Sequence, residues 1–174
     1  MANIFLISDH HLGHSNILTF LNKDGSKLRN FANITEMDEH IIKCHNDVVR
    51  PGDKTYFLGD VTFSHHNLHL LDRMNGEKVL IKGNHDKLKL SQYIPYFKDV
   101  RASHQLSGML LTHIPVHPES LARWGINVHG HLHTNVVKDF LGKPDTRYFN
   151  VSVERINFTP ISLETIKSKL DPKP

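Results

Sequence analysis

Short apolar runs, each stopped by a polar cluster, set the rhythm of this chain. Ile4-Phe5-Leu6-Ile7 breaks off into Ser8-Asp9-His10-His11, Thr55-Tyr56-Phe57-Leu58 into Gly59-Asp60, and Val79-Leu80-Ile81 into Gly83-Asn84-His85-Asp86. Runs this short, bounded by polar residues, read as buried strands rather than helices. Between the first two lies Thr35 to Val49, where Met37, Ile41, Cys44 and Val48 recur at helical spacing. Thr35 with Asp38 resembles a capping box there, and Pro51-Gly52 closes the segment. Leu68 to Met74 predicts a short helix, ended by the turn Asn75-Gly76. Strand, helix, strand, helix, strand predicts a parallel α/β sheet.

The second half reads as richer in strands. Met109-Leu110-Leu111 runs into Thr112-His113, and Ile126-Asn127-Val128 into His129-Gly130-His131. Tyr148 to Val153 alternates as a late strand, and Ile161 to Leu170 predicts a closing helix. These later strands are expected to form a second sheet packed on the first. Asp171 to Pro174 is expected to fray. With 174 residues and no linker or repeat, one domain over 1–170 is expected.

Composition narrows the class. Hydrophobic residues make up 39% and charged residues 22%, which excludes a disordered or fibrous chain. No apolar run approaches a bilayer span, and Met1 to Ile4 leads into no signal-like stretch. The lone Cys44 fits a reducing cytosol, so a cytoplasmic protein is expected, with no membrane partner. A net charge of +3 tolerates an anionic substrate but is not the basic stripe of a dedicated nucleic-acid binder. The unusual count is histidine. Fifteen of them outnumber all the tryptophan, tyrosine and phenylalanine residues together.

Five strand-end clusters carry the chemistry: Asp9/His11, Gly59-Asp60, Gly83-Asn84-His85-Asp86, His113, and Gly130-His131-Leu132-His133. Ligands of open α/β sheets bind outside the carboxyl ends of strands, so side-by-side strands would gather these clusters on one rim. They bring three carboxylates, an amide and five imidazoles. That mixture of oxygen and nitrogen donors suits divalent transition metals better than calcium. Carboxylates so gathered repel one another unless cations neutralise them. Glycines before Asp60, Asn84 and His131 would allow close backbone approach.

In this order and at these positions, the blocks resemble the calcineurin-like metallophosphoesterases, whose signature is D-x-H, G-D, G-N-H-[DE], a lone His and G-H-x-H. Ser8 to Ile17, Met37-Asp38-Glu39 and Val151 to Glu164 resemble a compact bacterial and bacteriophage subgroup, so the resemblance covers nearly the whole chain. It implies a four-layer α/β/β/α sandwich of two packed mixed sheets. It implies two divalent metals bridged by Asp60, one held by Asp9, His11 and His133, the other by Asn84, His113 and His131. It implies a hydroxide between them as nucleophile, with His85 facing the substrate. Asn84 is also read as touching substrate, and Asp86 as the nearest candidate to orient His85.

One departure stands out. The protein phosphatase branch has G-D-x-x-D-R-G, and Phe63 stands where its second Asp would be. That removes support for a protein phosphatase. His10 is expected to point away from the metals. His14 is read as either a loop residue or a substrate contact. His65, His66 and His69 are expected on the surface, and His40 and His45 in structural roles. His117, Arg123 and Trp124 are read as loop, rim or core residues, with a pocket role as the alternative for each.

The short spacings from His85 to His113 and on to His131 leave little room for a cap, so an open site is expected. The function expected is a dinuclear phosphoesterase acting on phosphodiesters or nucleotides, with manganese the leading metal and iron, zinc or nickel also suited. The alternatives are a nucleic-acid-processing phosphodiesterase and a non-catalytic metal-binding scaffold.

Overall fold

A computed structural model describes residues 2–170; the tail expected to fray lies outside the described residues. Among the described residues nine strands form: β1 (Ile4–Ile7), β2 (Lys54–Phe57), β3 (Glu77–Ile81), β4 (Asp99–Arg101), β5 (His104–Leu106), β6 (Met109–Leu111), β7 (Ile126–His129), β8 (Tyr148–Asn150) and β9 (Ile161–Ser162). The helices are α1 (Ile34–Val48), α2 (Leu90–Tyr93) and α3 (Leu163–Leu170). Short 3-10 turns run over Ser15–Thr19, His65–Arg73, Pro118–Leu121 and Val153–Arg155.

Two mixed sheets result. The first has the order β4-β3-β2-β1-β9, parallel except for β9, which pairs antiparallel with β1. The second has the order β5-β6-β7-β8, with β6, β7 and β8 parallel and β5 folded back on β6. The β5–β6 turn places Ser107 and Gly108 both at positive φ (49° and 78°), the twist that suits a two-residue hairpin.

Strand alternation sorts the core into two layers. Phe57 and Leu80 turn toward α1, where Met37 and Ile41 meet them with Leu68, Leu71 and Tyr93. Tyr56, Val79 and Ile81 turn the other way, onto Met109, Leu111 and Val128 of the second sheet, and α3 closes that layer with Leu163 and Ile166. Fully burying such a side chain stabilises by about 1.5–3 kcal/mol. The outer face of the second sheet is covered by the segment after His113. Asn127 Oδ1 accepts from Val116 N at 3.0 Å, Tyr148 Oη donates to Val116 O at 2.8 Å, and Leu121 is buried. A 3-10 turn and loop thus form the fourth layer. No helix among the described residues is long and apolar enough to cross a membrane.

Some expected boundaries shift. Helix α1 is capped by Asn33, whose side chain accepts from Glu36 N, rather than by Thr35. Asn33 precedes an apolar Ile34 and offers the cap two residues earlier. Ile161 and Ser162 belong to β9, because β1 presents them an open edge, and the closing helix begins only at Leu163. The late strand ends at Asn150, where the chain bends into Val153–Arg155. The segment expected as a helix over Leu68 to Met74 is the end of a longer 3-10 stretch, His65–Arg73, with His65, His66 and His69 exposed as expected.

Candidate metal centre

All five polar clusters emerge from carboxyl ends of strands, and the ladder between β1 and β2 continues past both strands. Asp9 N donates to Gly59 O, His11 N to Asp60 O, and Leu12 N to Val61 O. This lays the Asp9-His11 loop along the Asp60 loop. The second sheet joins where Ser8 N donates to Val151 O and Val153 N to Ser8 O.

The side chains then form two groups: Asp9, His11 and His133, and Asp60, His113 and His131. In each, one ligand-type atom per residue lies within 4.8 Å of the others. Asp60 stands between them, with Oδ2 3.8 Å from His11 Nε2 and 3.3 Å from His113 Nε2. Asn84 Oδ1 is 2.9 Å from His113 Nε2, so the amide joins the second group. Thus all seven residues read from the sequence as ligands come together.

Each carboxylate divides its labour. Asp9 Oδ2 accepts from His131 N and Ser152 Oγ, both at 2.9 Å. Its other oxygen is buried without a hydrogen-bond partner, 4.0 Å from both His11 Nε2 and His133 Nε2. Asp60 Oδ1 accepts from His85 N at 2.9 Å, leaving Oδ2 to face the imidazoles. Two ring tautomers are fixed by acceptors that cannot donate. His113 Nδ1 donates to Leu58 O at 2.7 Å, and His133 Nδ1 donates to the Glu154 carboxylate at 2.9 Å. In both rings Nε2 faces the group. His11 has neither ring nitrogen partnered. Its burial, with Arg29 nearby, pushes the imidazole down to about 2, so it is neutral and free to donate a lone pair. Burial works against a charged His113 as well, but the Asp60 hydrogen bond and the Asp9 charge outweigh it and raise the ring. The group favours positive charge.

The donor set fits divalent cations on these grounds. Orphaned Asp9 Oδ1 and His11 Nε2 are what a cation would satisfy, and buried polar atoms are otherwise almost always partnered. Ligand atoms sharing one ion at bonds of about 2.0–2.2 Å stand about 3–4 Å apart, and Asp9 Oδ1 at 4.0 Å from His11 and His133 and Asp60 Oδ2 at 3.3 Å from His113 keep to that spacing.

Local backbone is bent to deliver these groups. Asp9 (φ 61°), His11 (52°), Asp60 (54°), His131 (69°) and His133 (50°) all occupy the left-handed region, rare for residues with a Cβ. Three strand-end glycines are required by space, Gly59 among them, where a Cβ would strike the Gly83 backbone. A Cβ on Gly83 would strike the Asp60 carboxylate, and one on Gly130 would strike Ser8 Oγ and Asp9 Oδ2.

Asp86 serves differently from the sequence expectation. Its oxygens accept from Asp60 N and Gly83 N at 2.8 Å and Val61 N at 3.0 Å, so it pins the Asp60 loop and makes no hydrogen bond to the His85 ring. The His85 ring packs instead on Phe63, at 4.6 Å between centroids, and Phe63 also touches the rings of His11 and His14. His10 turns into the core and stacks on Phe57 at 4.6 Å, away from the centre. His45 Nε2 donates to Asn75 O, and His117 caps the Pro118–Leu121 turn. Trp124 lines a hollow with Met109 and Ile126, at the opposite ends of β6 and β7 from His113 and His131.

Sequence reading missed two residues. Arg29, 1% exposed, donates to Asp9 O, His10 O and Glu154 Oε1. Glu154 joins this guanidinium to His133, and its hydrogen bond with His133 and Arg29's charge hold its carboxyl below the usual range against the opposing effect of burial. An arginine in a loop and a glutamate beyond the last motif carry no periodicity that would flag them.

No family model matches the chain. It is 37% identical to the uncharacterized protein MJ1445 of Methanocaldococcus jannaschii, over 95% of this chain and 90% of that one. It is 32% identical to the gene 66 protein of Mycobacterium phage L5, over 49% of this chain and 41% of that protein. Among solved structures, the protein of unknown function AQ665 from Aquifex aeolicus superposes with a TM-score of 0.74 at 25% identity, over 97% of this chain and 100% of that one. The chain therefore belongs to one family with MJ1445, and the five ordered blocks, which resemble those of the calcineurin-like metallophosphoesterases, converge on its paired Asp/His groups.

Proposed function

We propose that the protein is a dinuclear metal-dependent phosphoesterase that hydrolyses phosphodiesters, nucleotide esters among them. The observation that carries this is the shared position of Asp60 Oδ2, 3.8 Å from His11 Nε2 and 3.3 Å from His113 Nε2, between two Asp/His groups. Asp9, His11 and His133 would hold one cation, His113, His131 and Asn84 the other, with Asp60 common to both. Manganese is the metal we assign, and iron, zinc or nickel suit the same donors. When bound, such a pair polarises a phosphate ester and makes water a stronger nucleophile at neutral pH.

The chain's own residues supply the rest. Arg29 and Glu154 fix His133, and Leu58 O fixes His113, so ligand rings need not reorient on loading. His85 sits at the rim, beside His11 with 6.0 Å between ring centroids, and serves as proton donor to the leaving oxygen. Asn84 is exposed next to His113 and can touch a substrate oxygen as well as a cation. Hollows of about 490 Å³ beside His131 and His133 and about 310 Å³ beside Asn84 and His113 flank the centre on two sides. Room on both sides favours a diester, whose two arms leave phosphorus in different directions. The test is hydrolysis of bis(p-nitrophenyl) phosphate and p-nitrophenyl phosphate with manganese. Faster turnover of the diester, abolished by Asp60→Asn, is expected. Preference for the monoester overturns the diester assignment, and parent-level activity in Asp60→Asn overturns the centre itself.

A further inference from the structure

From the metal centre an aromatic ridge runs outward along one side. The Phe63 ring lies 5.4 Å from that of His11 and nearly parallel to it (21°), and 4.4 Å from His14. His14 in turn meets Phe20 at 6.0 Å. Phe63 is 41% exposed and Phe20 47%, so both present ring surface to solvent. Single exposed apolar residues are ordinary, but two phenylalanines linked through an imidazole beside a polar centre form a surface. Beyond Phe20 the ridge opens into the hollow of about 490 Å³, walled by Asn22 and Lys23 on one side and Thr134 and Asn135 on the other.

This wall is already ordered. Thr134 Oγ1 donates to Asn22 Oδ1 at 2.9 Å, and the Asn22 amide donates to Ser26 Oγ and Lys27 O. Leu21 pairs with Lys27 in an antiparallel bridge. The Phe20–Lys27 loop is thereby tied to the segment that carries His131 and His133. A lipid arm would strip water from the Lys23 ammonium at the wall of the hollow. A planar, polar-edged ring would use both the aromatic faces and the polar wall.

We infer that Phe63, His14 and Phe20 form a stacking shelf for the nucleobase of a nucleoside phosphodiester, with its sugar and edge groups lying toward Lys23, Thr134 and Asn135. This rests on the phosphoesterase reading for the position of the phosphate. It also gives Phe63 a purpose where relatives in the phosphatase branch carry Asp.

The test separates shelf from chemistry. Adenosine 5′-phosphate and methyl phosphate are titrated calorimetrically into the manganese-loaded protein, and the ratio of their affinities reads the shelf. The parent is expected to prefer the nucleotide by about tenfold, the scale of one base stacked on an aromatic ring. Phe20→Ala and Phe63→Leu should collapse that ratio toward one. Phe20→Trp should keep it, and its indole fluorescence should be quenched on nucleotide addition. Equal affinities in the parent, or a ratio unmoved by both Phe20→Ala and Phe63→Leu, overturns the shelf. Hydrolysis of bis(p-nitrophenyl) phosphate is measured alongside. Nucleotide preference without hydrolysis sinks the phosphoesterase reading while the shelf stands, and hydrolysis without preference does the reverse.

Discussion

The two halves of the centre are built by different means. The Asp9–His11–His133 half leans on a buried ion pair: Arg29 grips the Asp9 and His10 carbonyls, and Glu154 passes its charge on to His133. These partners come from sequence-distant segments. The Asp60–His113–His131 half leans on backbone groups, through the three amides held by Asp86 and the Leu58 carbonyl held by His113. A half set by charges should fail when the charge balance is broken. A half set by peptide groups should yield less, because most of its fastening survives any one side-chain change.

The largest effect is expected where the halves meet. Asp60→Asn should weaken both manganese binding events and lower turnover by more than the roughly 100-fold that loss of a ligand-orienting group produces. Next, Glu154→Gln should weaken only one of two calorimetric manganese sites, by roughly 10- to 100-fold, while leaving Arg29 buried beside a neutral group. Equal weakening of both sites would erase the contrast. Asp86→Asn should act on the other site alone, nearer about tenfold, because the amide retains one accepting oxygen.

The smallest effect on the centre is expected from His45, which is buried against Phe57 and Asn75 O and belongs to neither ligand group. Burial pushes this imidazole down to about 4 from an ordinary 6.5, so between those values the unfolded chain takes up a proton that the folded chain refuses. Stability is then fully present above 6.5 and falls as pH drops toward 4, by about 2 kcal/mol between pH 7 and pH 5 for this group. Urea titrations of the parent and His45→Gln at both pH values should show the variant losing that much less. Manganese binding at pH 7 should be alike in the two.

Much of the centre was legible because the same feature marks strand and ligand. A run such as Ile4-Phe5-Leu6-Ile7 needs a buried strand, and the polar residues that end it must sit at the sheet's rim. Parallel pairing of β1, β2 and β3 then gathers Asp9, Asp60 and Asn84. The edges were less legible. Asp99-Val100-Arg101 and His104-Gln105-Leu106 pair as β4 and β5 without any apolar run, since edge strands are half solvated. Ile161-Ser162 merged into the helical pattern that follows it because two residues cannot display a period. Arg29 and Glu154 lie 125 positions apart, and only the folded chain reveals their pairing.

The left-handed turns at Asp9, His11, Asp60, His131 and His133 have a kinetic consequence. Neighbouring ladders and the Asp86 and Arg29 clamps impose them, so their conformational cost of order 1–3 kcal/mol each is met when the chain folds rather than when ions arrive. The apoprotein should behave as a rigid chelator, taking up metal without a change in its far-ultraviolet circular dichroism and releasing it without unfolding.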